Sequence, residues 1–132
     1  MQASYFQIFE TPVIKPKRNP LRFSGNIFVL TGVYTFSSAA DFAATIKDFY
    51  IGTIVGDETG GLPTCYGDVF KFSLPNSGLK VRVSHKYFVR PSGQDTGRGV
   101  IPDYEVKPRP KDLITGEDRV MAFVLDLIRN IR

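Results

Sequence analysis

An α/β domain with a partly parallel sheet, a β-hairpin and a C-terminal amphipathic helix is the fold class this sequence predicts. Three patterns carry that reading. Two short apolar runs, Ile27–Thr31 and Thr53–Val55, flank a stretch with helical periodicity. Leu79 to Val89 alternates strictly and faces another apolar run across a turn signal, and the chain ends on residues whose apolar positions recur every three or four places. Strand, helix, strand in that order implies parallel neighbours joined by a right-handed crossover. Alternation on both sides of a turn implies an antiparallel pair.

Residues 1–22 contain Pro12, Pro16 and Pro20 and read as an irregular segment ahead of a domain spanning 23–132. Ile27-Phe28-Val29-Leu30-Thr31 is continuous and bounded by Gly25 and Gly32, the pattern of a strand buried on both faces. A helix follows from about Ala39 to Phe49, with Phe42, Ile46, Phe49 and Tyr50 on one face and Ser38 and Asp41 at the spacing of a capping box. The next strand, Thr53-Ile54-Val55, ends at Gly56. Val69–Leu74 and Leu79–Val89 flank the turn Pro75-Asn76-Ser77-Gly78. In the second of these, Leu79, Val81, Val83, His85 and Tyr87 alternate with Lys80, Arg82, Ser84 and Lys86, which gives a half-exposed hairpin. A long loop runs from Pro91 to Asp103. In the final helix Val120, Phe123, Val124, Leu127, Ile128 and Ile131 form one stripe. Thr115 and Asp118 offer its cap, and Arg129 and Arg132 suit the negative end of its dipole.

At 132 residues and 42% hydrophobic the chain can bury a core, and it lacks the polar tracts of a disordered segment. The net charge of +4 is scattered, with one tight cluster, Lys15, Lys17 and Arg18, in a Pro-containing stretch. No nucleic-acid-binding motif accompanies it, so nucleic acid is not an expected partner. The single cysteine, Cys65, excludes an internal disulfide and a multi-cysteine metal site, and it reads as a free loop thiol. Asp103 and Glu105 alone do not make a metal site, and Gly60-Gly61 is not followed by the Lys-Ser/Thr of a phosphate loop. Neither a metal nor a cofactor is expected. No apolar run approaches the ~20 residues that span a bilayer, and Met1 to Glu10 lack the charged-then-apolar order of a signal peptide.

The position that could carry chemistry is Ser38, between the first strand and the helix. Amides of a first helical turn lack intrahelical partners and carry the positive end of the dipole. A nucleophilic oxygen and a developing oxyanion both gain from that field. The Ala39 N–H is the candidate oxyanion donor, and the small side chains of Ala39 and Ala40 leave room for a substrate backbone. A serine is equally a preferred N-cap, and the local pattern supplies no base, so both roles stay open on these residues alone.

Five segments in order resemble the C-terminal processing family of serine peptidases, the tail-specific and tricorn-core enzymes. They are Phe23–Thr31, Thr35-Phe36-Ser37-Ser38-Ala39-Ala40-Asp41-Phe42, Ile54–Gly61, Phe72–Gly78 and Gly99-Val100-Ile101-Pro102-Asp103, and the resemblance extends over residues 23–130. It implies a ClpP/crotonase-like α/β core, Ser38 as the nucleophile of an acyl-enzyme mechanism, Gly60 and Gly61 beside the substrate, and a peptide or protein substrate lying extended along a strand edge. It also implies a setting outside the cytoplasm.

The sequence departs from that family in two places. Where tail-specific enzymes carry a lysine base this chain has Leu62, and where the tricorn-like branch carries a glutamate it has Thr96, with Asp95 adjacent. Asp95 substitutes only if the loop shifts by one residue. The lone histidine, His85, lies in the hairpin, where family logic places no base; it is a weak candidate for one or a strand histidine on a packed face. The chain therefore reads as part of a longer catalytic domain whose base lies elsewhere, weakly active or inactive alone. The alternative is a non-catalytic relative that binds a peptide or an apolar ligand, as the modules of interphotoreceptor retinoid-binding protein do. Exposed strand edges would allow self-association.

Overall fold

The computed structural model describes residues 7–10, 12 and 14–131. Met1 to Phe6 and Arg132, the latter placed by sequence in the last helical turn, lie outside the described residues. Regular structure begins at β1 (Phe28–Thr31) and continues through α1 (Ser38–Asp48), β2 (Thr53–Gly56), β3 (Cys65–Ser73), β4 (Lys80–Phe88), β5 (Tyr104–Glu105), α2 (Pro110–Thr115) and α3 (Arg119–Asn130).

β1 and β2 pair in parallel, Phe28 with Thr53 through Thr31 with Gly56, and β5 joins β2 in parallel through Val55–Tyr104 and Gly56–Glu105. The sheet order is thus β1-β2-β5. Ile54 and Val55 are both fully buried. Successive strand residues point to opposite faces, so both faces of β2 are covered, and α1 and α3 both contact it. β1 differs from expectation. It is an edge of the sheet, and Leu30 is exposed rather than buried on both faces.

The face that α1 buries also differs. Ala40, Ala43, Ala44 and Ile46 face inward, whereas Phe42 is 54% exposed and Phe49 and Tyr50 also face solvent. Alanines let the helix lie close over the sheet, and Val100 packs directly against Ala43 and Ala44. An aromatic stripe would have held the helix further out. Similarly, the last helix starts at Arg119, not near Thr115. Asp118 is its N-cap, with the carboxylate accepting the Met121 N–H at 2.9 Å, while Thr115 ends the separate short helix α2. β5 has no periodic signal in its two residues. The Asp103 carboxylate beside it accepts the Ile54 N–H at 2.8 Å and pairs with Lys47 of α1 at 2.5 Å.

β3 and β4 form an antiparallel hairpin in continuous register, from Cys65 opposite Phe88 to Ser73 opposite Lys80. Its turn closes through Leu74 N–H to Leu79 carbonyl and Gly78 N–H to Leu74 carbonyl, both 2.9 Å. Asp68, opposite His85, interrupts the ladder with a left-handed φ of 51°. The root of the hairpin is fastened to α1 by one ion pair. The Arg90 guanidinium meets the Asp48 carboxylate at 3.0 and 2.6 Å, and the Ser92 N–H adds a third bond at 3.0 Å. Only 11% and 8% of the two side chains is exposed. Burial raises the Asp48 carboxyl, but the Arg90 and Ser92 hydrogen bonds and the Arg90 charge together outweigh it and hold it below the usual range.

Replacing Asp48 with asparagine leaves a buried guanidinium without its counter-charge. We expect a loss of about 3 kcal/mol in urea unfolding. Because the folded-state value is depressed, this contribution is complete above the unfolded carboxylate value of ~3.9. It is lost as pH falls through the lower folded value. Asp48→Asn should therefore flatten the acid limb of the stability profile.

Candidate active site

Between β1 and α1 the chain turns through Gly32–Ser37, and Thr35 N–H bonds back to the Gly32 carbonyl at 2.8 Å. Ser37 occupies the N-cap position with φ 54° and ψ −130°, a conformation L-residues rarely adopt. Its side chain makes no cap bond. Its carbonyl instead accepts the Ala40 and Asp41 N–H groups at 2.9 and 3.0 Å. The helix is thus nucleated by the backbone of a strained residue. Ser38, the first helical residue, is left exposed, and its hydroxyl has no hydrogen-bond partner among the described residues. The capping-box role that the Ser38–Asp41 spacing allowed is not used.

Ser38 lines a cavity of about 420 Å³ between this loop and the root of the hairpin. Phe36 and Leu62 also line it, as do Cys65, Asp68 and Phe88 of the hairpin and the α1 carboxylate Asp41. Cys65, read from sequence as a loop thiol, is the first residue of β3 and shares this space. The Lys86 ammonium bonds the Asp68 carboxylate and holds it below the ordinary carboxylate range.

Two of the expected partners stand elsewhere. His85, opposite Asp68 at the interruption of the ladder, does not line the cavity. Asp95 accepts the Gly97 N–H at 2.9 Å and the Tyr87 hydroxyl at a long 3.4 Å, and does not line the cavity. Neither His85 nor Asp95 is brought to Ser38. The Ala39 N–H donates to the Phe36 carbonyl at 3.1 Å, so holding an oxyanion requires it to leave that bond.

Gly60 and Gly61 pack against the loop that leads into α1. A Cβ on Gly60 would fall 2.0 Å from the Val33 carbonyl oxygen, and one on Gly61 would fall 2.8 Å from the Phe36 Cα. The Gly61 N–H donates to the Thr35 carbonyl at 2.9 Å. The pair lets the backbone lie directly against the loop that presents Ser38. Thr59 holds the pair from below, donating to the Gly61 carbonyl and accepting the Val100 N–H, both at 2.8 Å. Glu58 accepts the Gly99 N–H at 2.9 Å and pairs with Arg98.

Residues 6–106 match peptidase family S41. The chain belongs to that family. A candidate peptidase from Parabacteroides merdae ATCC 43184 is similar in structure, with a TM-score of 0.63 and 29% identity over 80% of this chain and 32% of that one. The tricorn protease has a TM-score of 0.56 at 21% identity, over 84% of this chain and 12% of its own, a likeness of fold alone. No curated protein matches. The S41 chain described here therefore spans about a third of the first of these and far less of the second. The mixed α/β fold with its partly parallel sheet and hairpin agrees with both.

Within this S41 chain, the cavity residues that sequence reasoning passed over include Tyr66, Asp68 and Phe88. For Asp68 a signal existed. Gly67-Asp68 interrupts a run that resumes alternation at Val69, which led the strand to be started four residues late. Gly60→Ala should push the Ser38 loop off its seat. We expect a loss of roughly 1–3 kcal/mol and faster hydrogen exchange at the Gly61 amide. Gly32→Ala, with nothing within 4 Å of the added carbon, should cost little. Equal effects from the two substitutions would contradict the packing role.

Proposed function

We propose that this chain carries the nucleophile of a serine endopeptidase, with Ser38 attacking a peptide carbonyl to form an acyl-enzyme. The observation that supports this most is an unpartnered hydroxyl at a strained strand-to-helix junction, opening on a cavity. In the reaction the Ser38 Oγ–C bond forms as the hydroxyl proton passes to a base. The carbonyl oxygen becomes an oxyanion, and the leaving amine takes a proton as the peptide C–N bond breaks. The Ala39 amide would hold the developing charge once it leaves the Phe36 carbonyl, and the helix dipole favours that charge.

The base comes from outside these 132 residues. Leu62 stands in the cavity wall where a lysine would be needed, and no histidine or lysine side chain lines the cavity among the described residues. This reading makes the isolated chain weakly active or inactive. The same wall favours, as a second reading, a ligand-binding relative: Phe36, Leu62 and Phe88 give it an apolar character that suits occupation without turnover.

A fluorophosphonate probe distinguishes these. The peptidase reading expects slow labelling that disappears in Ser38→Ala and accelerates when imidazole is added as an external base. Labelling indifferent to Ser38 sinks the nucleophile assignment. Rapid stoichiometric labelling without imidazole sinks the claim that the base is supplied from elsewhere.

A further inference from the structure

The continuous register of the hairpin sorts its side chains onto two unlike faces. Tyr66, Phe70, Phe72, Val81, Val83 and Tyr87 share one face. The other carries Lys71, Lys80, Arg82 and Lys86, and nearer the root it carries Cys65, Gly67 and Phe88. Those three root residues line the Ser38 cavity together with Tyr66 and Asp68. The cationic face therefore meets the cavity wall at its root, where the Phe88 ring lies 3.0 Å from where a Gly67 Cβ would stand.

The cations on this face are not arranged as a solvated surface would be. Such surfaces intersperse both signs. Among the described residues the one carboxylate paired with any of the four is Asp68, which takes Lys86. Lys71 and Arg82 stand directly opposite each other across the strands. Like charges in that relation destabilise a sheet. Among the described residues neither these two nor Lys80 has a carboxylate within salt-bridge distance. All three are exposed.

We infer that this face binds an acidic stretch of the polypeptide substrate, displaced from the bond presented to Ser38. This rests on the endopeptidase reading above. The displacement follows from charge and length together. Near Ser38 the cavity carries Asp41, which disfavours acidic residues at the reacting bond, while Lys86 compensates Asp68. Arg82 lies six residues beyond Phe88, about 20 Å along a strand that rises ~3.3 Å per residue. An extended peptide leaving the cavity past Phe88 along this face reaches Lys71 and Arg82 about six residues from its point of attack, and Lys80 about two residues later. Lys71, Lys80 and Arg82 are the specificity residues, and none of them touches the reacting atoms.

The test uses fluorescein-labelled peptides of one composition, differing in the position of a glutamate block: displaced by about six residues from a neutral centre, or within it. A third peptide replaces the glutamates with lysines. Anisotropy is read at low and high salt, and Cys65 alkylation by a maleimide reports cavity occupancy. The displaced-glutamate peptide should bind roughly tenfold tighter than either other peptide. It should weaken with salt and protect Cys65. Lys71→Glu with Arg82→Glu should remove that preference, and Lys80→Gln with Arg82→Gln, which relieves repulsion rather than reversing charge, should reduce it in a chain with unchanged circular dichroism. Equal affinity for the three peptides overturns the inference. So does binding that survives charge reversal or leaves Cys65 reactive, and so does tighter binding of homopolymeric single-stranded RNA than of the acidic peptide. Ser38→Ala should leave all of this unchanged. Failure here with Ser38-dependent probe labelling intact condemns the acidic surface alone. Peptide preference without any Ser38 labelling condemns the nucleophile alone.

Discussion

The Thr59 hydroxyl donates to the Gly61 carbonyl and accepts from the Val100 amide, and that buried atom joins the stretch 59–61 to the segment at Val100. Val100 reaches up to Ala43 and Ala44, so the small inner face of α1 rests on the same point. Gly61 reaches across to Thr35, so the loop before the helix rests on it as well. Two hydrogen bonds in a buried site leave no polar group unpaired there, and removing the hydroxyl would orphan one donor and one acceptor together. Few other contacts join the β1–α1 loop to the later part of the chain so directly. Its position is therefore set largely by residues more than twenty places downstream.

That support accounts for the strain at Ser37. A non-glycine residue with φ near 54° costs of order 1–3 kcal/mol and persists only where its surroundings leave no relaxed alternative. Here Gly60 and Gly61 press against the loop with no room for a side chain, while the Ala40 and Asp41 amides hold the Ser37 carbonyl from the helix side. The strain has a geometric consequence. A relaxed serine at this junction would cap the helix with its own hydroxyl. The backbone of Ser37 caps it instead, and the neighbouring hydroxyl stays outside the helix's internal bonding.

Much of this was legible in the sequence, but unevenly. The order of strand, helix, strand and hairpin followed from periodicity, as did the turn at Pro75–Gly78 and the junction at Ser38. The inward face of α1 did not. Phe42, Phe49 and Tyr50 have the greater hydrophobicity, and only the close approach demanded by Val100 makes alanines the better inner surface. The two-residue β5 has too little length for any pattern; it exists because Asp103 anchors the preceding turn to Ile54 and Lys47. Cys65, Asp68 and Phe88 share a cavity with Ser38 only because the hairpin root docks beside α1, where Asp48 and Arg90 bond from positions forty-two residues apart.

The composition of the cavity wall indicates what kind of group could complete it. Asp41 and Asp68 stand near Ser38, and the second is paired with Lys86, which leaves Asp41 as the uncompensated charge among the described residues. A carboxylate would enter that field at a cost. A histidine or lysine would be favoured in its protonated form, which is the form a general base takes as it removes the serine proton. A base that begins neutral and ends cationic gains from this field, whereas a carboxylate base, which begins anionic, is opposed by it.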